Sequence, residues 1–165
     1  MKLQRMMRHI FTPHWIVNRT FPKSVLAAIE AAIAASETLH DGELRFAVEA
    51  ALHPAPVWRG QTTRARAEEL FSALRVWDTA HNSGVLIYVQ LVDRRIEIVA
   101  DRGISALAGQ AQWDAICRRM EAAFRQRRFE AGALAAINEV TALLKAHFPP
   151  LGENPNELSD KPVVL

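Results

Sequence analysis

The chain has one cysteine, one tyrosine and no long uninterrupted hydrophobic segment. The single Cys117 excludes an internal disulfide, and its place on the apolar stripe of a predicted helix indicates a small core residue rather than a nucleophile. The longest apolar run, Val85–Val92, includes Gln90, whereas a membrane-spanning helix needs about 20 residues. The segment "IFTPHWIV" is short and lacks the cleavage site of a signal peptide. We therefore expect a cytoplasmic protein without a transmembrane segment.

Several common catalytic signatures are missing as well. The sequence has no Gly-x-Ser-x-Gly elbow, no Walker motif and no dinucleotide-binding fingerprint. Its six histidines never occur four residues apart, which is the helical spacing of many zinc sites. The sequence therefore presents no recognisable nucleophile.

Acidic residues are absent from the first 29 positions, which hold five basic residues. Over the whole chain the formal net charge is only +2, too small to indicate nucleic-acid binding. Residues 1–21 also carry Phe11, Trp15 and Phe21 without clear periodicity. This basic, aromatic segment has two interpretations. It makes weak contact with an anionic membrane surface, or its aromatics pack onto the domain or a second copy.

A length of 165 residues suits one domain with a substantial core. We divide the chain into the N-terminal segment 1–21, a domain over 22–148 and a loosely ordered C-terminal tail over 149–165. The tail has few large apolar residues before Val163.

Hydrophobic periodicity within the domain predicts four helices and three strands. The predicted helices are 23–39, 62 or 63 to 80, 110–126 and 129–148; the predicted strands are 43–50, 85–92 and 96–100. In the first strand Leu44, Phe46 and Val48 face one way, and the charged residues face the other. The second helix is expected to bury Ala67, Leu70, Phe71, Leu74 and Trp77.

The order of these elements predicts an α/β fold, a three-layer αβα sandwich around a mixed sheet of three to four strands. The loop and helix between the first two strands allow a parallel βαβ crossover, while the two-residue turn Asp93-Arg94 makes the last two strands an antiparallel hairpin. Two C-terminal helices complete the layers.

Strand direction places several oxygen-bearing side chains at one edge of the sheet. These five residues, which we call the acidic edge, are Asp41, Glu43, Asp78, Asn82 and Asp101. The edge is either an ordinary solvated rim or a cradle for a hard cation such as calcium, which takes 6–8 oxygen ligands. The opposite edge, with the Pro-rich loop 51–60 and Asp93-Arg94, is the competitor, because ligands of parallel α/β units bind at the carboxyl ends of strands.

Residues beside the acidic edge allow two readings. His81 can act as an acid or base in phosphoryl chemistry or simply bond to a backbone carbonyl. Gly84 and Gly103 fit turn geometry better than a phosphate cradle. On the helix surface, Arg118, Arg119 and the run 125–128 form a basic face that is either solvated or binds an anion or partner.

Several short motifs occur in the order seen in a known family. They are Asn82-Ser83-Gly84-Val85-Leu86-Ile87 at the start of a strand, Asp93-Arg94-Arg95 at the turn, Asp101-Arg102-Gly103-Ile104-Ser105 after the hairpin, and the stretch Phe124 to Gly132 between the last helices. From about Pro22 to Phe148 the sequence resembles the TPM domain, a family of small αβα domains that includes a thylakoid-lumen acid phosphatase.

The resemblance implies calcium or another divalent cation, and phosphatase activity. The acidic positions of the family are rearranged here. Asn18 stands where an aspartate is common, Asn82-Ser83 replaces an Asp-Asn step and Ser105 replaces a glutamate, while Asp101 takes a position often held by glycine.

Two functions follow from these observations. The first is a non-catalytic interaction or regulatory domain that binds a protein or membrane partner and carries a divalent-cation site on the acidic edge. The alternative is a divalent-metal-dependent phosphatase of phosphate esters, in which the acidic edge holds the ion. Loss of family acidic positions and the absence of a nucleophile favour the first.

Overall fold

The computed structural model of the protein describes residues 2–152 and 155–165. Within them the elements, in chain order, are α1 (Lys2–Phe11), α2 (Trp15–Thr20), α3 (Lys23–Glu37), β1 (Glu43–Glu49), α4 (Pro54–Trp58), α5 (Thr63–Ala73), β2 (Gly84–Gln90), β3 (Arg95–Ala100), α6 (Arg102–Ser105), α7 (Gln110–Arg125), α8 (Phe129–His147) and β4 (Val163–Val164).

The strands form one mixed sheet in the order β3-β2-β1-β4. β1 and β2 run parallel, and Glu43 pairs with Gly84 at the first position of both. β2 and β3 run antiparallel through the turn at residues 91–94. Helices cover both faces. The predicted α/β sandwich, with its crossover, hairpin and C-terminal helices, is confirmed.

The two faces of the sheet bury cores of different size. Helices α3, α7 and α8 cover the larger one, to which α7 contributes Trp113, Ile116 and Met120. Helix α5 covers the smaller one, where Leu70 packs near Tyr88. Each such buried apolar side chain contributes about 1.5–3 kcal/mol, so the larger face supplies most of the apolar stabilisation.

The strand β1 is buried on both faces, although its sequence alternates. Its apolar side chains enter the larger core, as predicted. The charged side chains Glu43, Arg45 and Glu49 are buried as well. They tolerate burial because each has partners: the guanidinium of Arg66 on α5 donates two hydrogen bonds to Glu49, at 2.9 and 3.0 Å. A buried charge needs such pairing.

Helix α5 ends earlier than the periodicity predicted. It stops at Ala73, and Arg75 adopts a left-handed backbone conformation with φ of 55°. That turn shifts the phase of the following residues, so Val76 is fully buried and Trp77 is exposed. The prediction that Trp77 enters the core was wrong, because a helical period was extended across a turn.

The N-terminal segment is more regular than its sequence indicated. Its residues form the helices α1 and α2, and the Pro-rich loop 51–60 contains the short helix α4, with Pro54 at its first turn. Among the residues described, no helix combines the length and the apolar character needed to cross a membrane.

The C-terminal tail also differs from the expected loose segment. Residues 153 and 154 lie outside the described residues, but Val163–Val164 form β4 and pair in parallel with Ala47 and Val48. The amide of Leu165 donates to the carbonyl of Val48 at 2.9 Å. The tail therefore completes the sheet beside β1.

Cys117 lies on α7 and packs against the larger core, as predicted. It is a free thiol. Burial raises its pKa to about 12, so the thiol stays protonated at neutral pH. Such a group is a poor nucleophile.

Candidate functional site

The acidic edge is assembled as strand polarity predicted. Glu43 and Gly84 stand side by side at the start of β1 and β2. The amide of Asp101 donates to the carbonyl of Gly84 at 2.9 Å. The beginnings of two strands and the end of the third therefore meet at one edge.

Glu43 is completely buried at this edge, and the tail of the chain satisfies it. Its two carboxylate oxygens accept the backbone N–H groups of Glu157 and Leu158, both at 3.1 Å. Burial raises the pKa of Glu43, and the two hydrogen bonds oppose that change. The carboxylate is thus used in holding the tail.

Asp41 and Asp101 are also buried, and each has one satisfied and one unsatisfied oxygen. One oxygen of Asp41 accepts the amide of Leu151 at 3.0 Å. One oxygen of Asp101 accepts the amide of Arg102 at 2.7 Å and caps the short helix α6. The remaining oxygens have no hydrogen-bond partner among the described residues. Buried polar atoms without partners are uncommon in native proteins.

The other two residues of the acidic edge lie on the surface. Asp78 is exposed and forms an ion pair with Arg75 at 2.6 Å. Asn82 is exposed with φ of 50°, and its backbone carbonyl accepts the amides of Gly103 and Ile104. Across residues 2–152 and 155–165, no group of three or more His, Cys, Asp or Glu side chains is placed to hold a metal ion.

The residues beside the edge have mainly structural contacts. An added Cβ at Gly84 would lie 1.9 Å from the carbonyl oxygen of Val76, and one at Gly103 would lie 2.5 Å from that of His81. Glycine is needed at both positions because two backbone segments approach closely. His81 is exposed, and the hydroxyl of Ser105 donates to the carbonyl of Arg102 at 3.4 Å.

The C-terminal tail closes this edge through contacts with three parts of the chain. The carboxylate of Glu157 accepts the amide of Ala80 at 3.1 Å. Arg45 donates to the carbonyl of Ser159. Asp160 lies against Glu37, whose pKa is raised to about 9 by burial, by the nearby Glu43 and by a hydrogen bond with Asp160. Glu37 therefore carries a proton at neutral pH.

The family of the chain follows from its sequence as well as its fold. The family model described as the TPM domain matches residues 18–143. The chain belongs to the TPM domain family. This confirms the resemblance drawn from the short motifs at the hairpin.

Solved structures agree with the TPM assignment. The NMR structure of the BA42 protein from the psychrophilic bacterium Bizionia argentinensis is 26% identical, with a TM-score of 0.74, and the match covers 85% of this chain and 92% of that one. The solution NMR structure of the N-terminal domain of a P. gingivalis protein is 16% identical, with a TM-score of 0.60, covering 86% and 95%, and shows likeness of fold alone. No curated protein gives a significant match.

The matched range of the TPM domain excludes α1, which is nevertheless firmly attached. Arg5 donates to the carboxylate of Asp93 in the β2–β3 turn, with the shortest distance at 2.6 Å. His9 is 3% exposed, lies 3.3 Å from Asp93 and accepts the amide of Leu52 at 2.9 Å through Nδ1. Asp93 keeps a lowered pKa despite its burial, because the charges and hydrogen bonds of Arg5 and His9 outweigh the loss of solvent.

Sequence reasoning allowed the aromatics of residues 1–21 to pack onto this TPM domain, as Phe21 does, but it missed the polar contacts that attach α1 and the tail. A signal existed for α1, since Arg5 and His9 are four residues apart and share a helix face. The tail offered no comparable signal, because it binds mainly through backbone groups and two valines.

Proposed function

We propose that this TPM domain is a non-catalytic interaction domain whose N-terminal helices lie on an anionic membrane surface. The supporting observation is an apolar stripe that α1 and α2 leave exposed. This apolar stripe consists of Leu3, Met7, Ile10, Phe11 and Trp15. Single exposed apolar residues are ordinary, but a row of them on one surface is typical of a binding site.

The geometry of α1 explains why the stripe faces outward. Leu3, Met7 and Ile10 follow the spacing of one helix face. The side chains of Arg5 and His9 occupy another face and hold the helix to Asp93. Because the helix is already formed and attached, binding does not have to fold it, which removes much of the usual ordering cost.

Charge favours a membrane over a second copy of the chain as the occupant. Lys2, Arg8 and Arg19 are exposed around the stripe, and the first acidic residue of the sequence is Glu30. An apolar stripe flanked by basic residues is the pattern of helices that lie in the plane of an anionic bilayer surface.

Vesicle co-sedimentation tests the proposal. The protein should sediment with vesicles of phosphatidylcholine and phosphatidylglycerol, release as salt rises well above about 0.1 M, and stay in solution with phosphatidylcholine alone. The double variant Ile10→Ser, Phe11→Ser should bind at least ~10-fold more weakly, since each side chain loses apolar burial.

Leu107→Ser is the matched control, because it removes an exposed leucine outside the stripe, and its binding should equal that of the parent. Equal binding to neutral vesicles would overturn the proposal. A second pair of results would also overturn it. The protein would then not sediment with vesicles, and analytical ultracentrifugation would show a dimer that the double variant no longer forms.

The same proposal assigns the domain to the cytoplasm. Anionic lipids give the cytoplasmic leaflet a negative surface potential, worth about 1 kcal/mol per nearby basic residue. The basic residues around the stripe supply that attraction. Cell fractionation should recover the full chain in the cytosolic and peripheral-membrane fractions, with the membrane share released by salt.

A divalent-metal-dependent phosphatase is the second candidate, favoured by the two unsatisfied oxygens of Asp41 and Asp101. A cation would supply the electrostatic attraction for a phosphoryl group there. As arranged, the edge provides too few ligands, since Glu43 is occupied by tail amides. This candidate therefore requires residues 155–165 to leave the edge.

Calorimetry with calcium, magnesium and manganese, together with hydrolysis of an aryl phosphate, tests this second candidate. Asp41→Asn and Asp101→Asn should each abolish the binding heat and the hydrolysis, whereas Glu68→Gln, at an exposed ion pair on α5 outside the acidic edge, should change neither. No binding heat for any of the three ions would eliminate it.

A further inference from the structure

The function proposed above leaves unused a pocket at the carboxyl end of β2. It lies between the β2–β3 turn, α2 and the junction of α7 and α8, and has a volume of about 410 Å³. This is within the range of small-molecule sites. It lies at the opposite end of the strands from the acidic edge. Parallel α/β units commonly bind ligands at this carboxyl end of their strands.

The floor of the pocket is apolar and well supported. It is formed chiefly by Ile16, Leu91, Ile96, Phe124 and Phe129. The rings of Phe124 and Phe129 meet edge to face, with centroids 5.1 Å apart, and both rings also contact Phe21. This packing fixes the walls, so the pocket is preformed.

The rim of the pocket is strongly basic. Four arginines and one glutamate line it, which gives a net charge of +3; they are Arg94, Arg95, Arg125, Arg127 and Glu121. The carboxylate of Glu121 accepts the amide of Ile96 at 3.2 Å and lies 3.8 and 3.7 Å from two of the arginines. The acid is therefore part of the wall and is shared between two cations.

Arg94 and Arg127 are the two rim arginines with no carboxylate partner among the described residues within 4.0 Å. Both occupy left-handed backbone positions, with φ of 53° and 59°. Such positions favour glycine or asparagine. Two turns on the rim of the pocket thus carry an arginine where the backbone alone would select a smaller residue.

We infer that this pocket binds a soluble amphipathic anion, a small aliphatic or aromatic molecule with a carboxylate or phosphate group. The apolar floor takes the hydrocarbon part. Arg94 and Arg127 take the anionic group, because a guanidinium donates two parallel hydrogen bonds to either anion. The inference is independent of the membrane surface and of the acidic edge, since it uses neither set of residues.

An NMR titration of the full chain tests the inference with octanoate and octyl phosphate, both kept below micelle-forming concentrations. Saturable shifts are expected at the amides of Ile96, Phe124 and Phe129. Octanol, which has the chain without the charge, should bind at least ~10-fold more weakly, because it lacks charge-assisted hydrogen bonds. Acetate, which has the charge without the chain, should give no saturable shifts.

Two variants in the pocket and one control outside it locate the site. Arg127→Gln should weaken octanoate binding by about 10-fold, whereas Arg118→Gln, an exposed arginine of α7 outside the pocket, should leave it unchanged. Thr20→Phe, which adds a ring at a lining position, should weaken octanoate and octyl phosphate alike.

Three results would overturn the inference: equal affinity for octanol and octanoate, equal loss in both arginine variants, or shifts confined to the apolar stripe. Shifts in the pocket with phosphatidylglycerol vesicles but not with free octanoate or octyl phosphate would also overturn it, since the ligand would then be a lipid held in a bilayer.

Discussion

The two ends of the sheet both concentrate charge, but they differ in what satisfies it. At the amino ends of β1 and β2, the carboxylate of Glu43 is bonded by amides of the chain's own tail. At the carboxyl end of β2, the side chains of Arg5 and His9 on α1 bond Asp93, while Arg94 and Arg127 stay without carboxylate partners in the described part of the chain.

A count of charged residues therefore does not identify a binding site. The acidic edge has the composition of a cation site, yet most of its oxygens already accept hydrogen bonds or lie in an exposed ion pair. From the sequence, the arginines around the pocket predicted only a basic helix face. In the structure, the pocket combines arginines that have no carboxylate partner within the described ranges with an apolar floor. Unused hydrogen-bonding capacity next to a cavity is the better guide.

A substitution at Gly84, beside the acidic edge, should destabilise the protein most. Gly84→Ala should destabilise the fold by about 3 kcal/mol or more, because the new Cβ would collide with the carbonyl oxygen of Val76. Urea unfolding followed by circular dichroism measures it. Gly109→Ala is the control, since a Cβ there meets no atom within 4 Å. Similar losses in both variants would contradict a packing role for Gly84.

The next effect concerns the opposite end of the sheet. Asp93→Asn should lower the free energy of unfolding by about 2–3 kcal/mol. The substitution removes the charged carboxylate that Arg5 and His9 contact. Urea unfolding measures the loss, and limited proteolysis should cut first within α1. Asp78→Asn removes an exposed ion pair and should change stability by less than about 1 kcal/mol. An intact α1 in Asp93→Asn would show that apolar packing alone attaches the helix.

The smallest effect is a difference in pH response between the two termini. Burial lowers the pKa of His9 below 6.5, so the stability it gives to α1 is complete above that pH and is lost as the pH falls. The pKa of Glu37 is raised to about 9, so its contribution at the tail is complete below its usual 4.5 and is lost as the pH rises towards 9.

Backbone ¹⁵N relaxation across a pH series measures both responses. The amide of Leu52 should gain mobility on the acid side, and that of Leu158 on the alkaline side. His9→Gln should remove the first change, and Glu37→Gln the second. A common transition at both termini would contradict the assignment of separate groups.

The sequence predicted most of the sheet because its information is local. Alternation in 43–50 and a tight turn after Val92 determine strand faces and directions, and these determine that Glu43 and Asp101 share an edge. The burial of Trp77 was wrong for an equally local reason, since the left-handed turn at Arg75 has no marker such as glycine.

The partners of the buried charges could not be read in the same way. The bond from Leu158 to Glu43 joins positions far apart in the chain, and its donor is a backbone group that every non-proline residue has. The β4 strand has two residues, too few for any periodicity. The sequence therefore predicted that Glu43 and Asp101 share an edge but not that the tail bonds to Glu43.

The protonated, partly buried thiol of Cys117 gives the protein a practical use in spectroscopy. Maleimide dyes and spin labels react with thiolates, so the native chain is already a nearly silent background for labelling. A cysteine introduced on α1 and another beside Leu158 can then be labelled as a pair without first replacing Cys117, and the distance between the labels can be followed while ligands or vesicles are added.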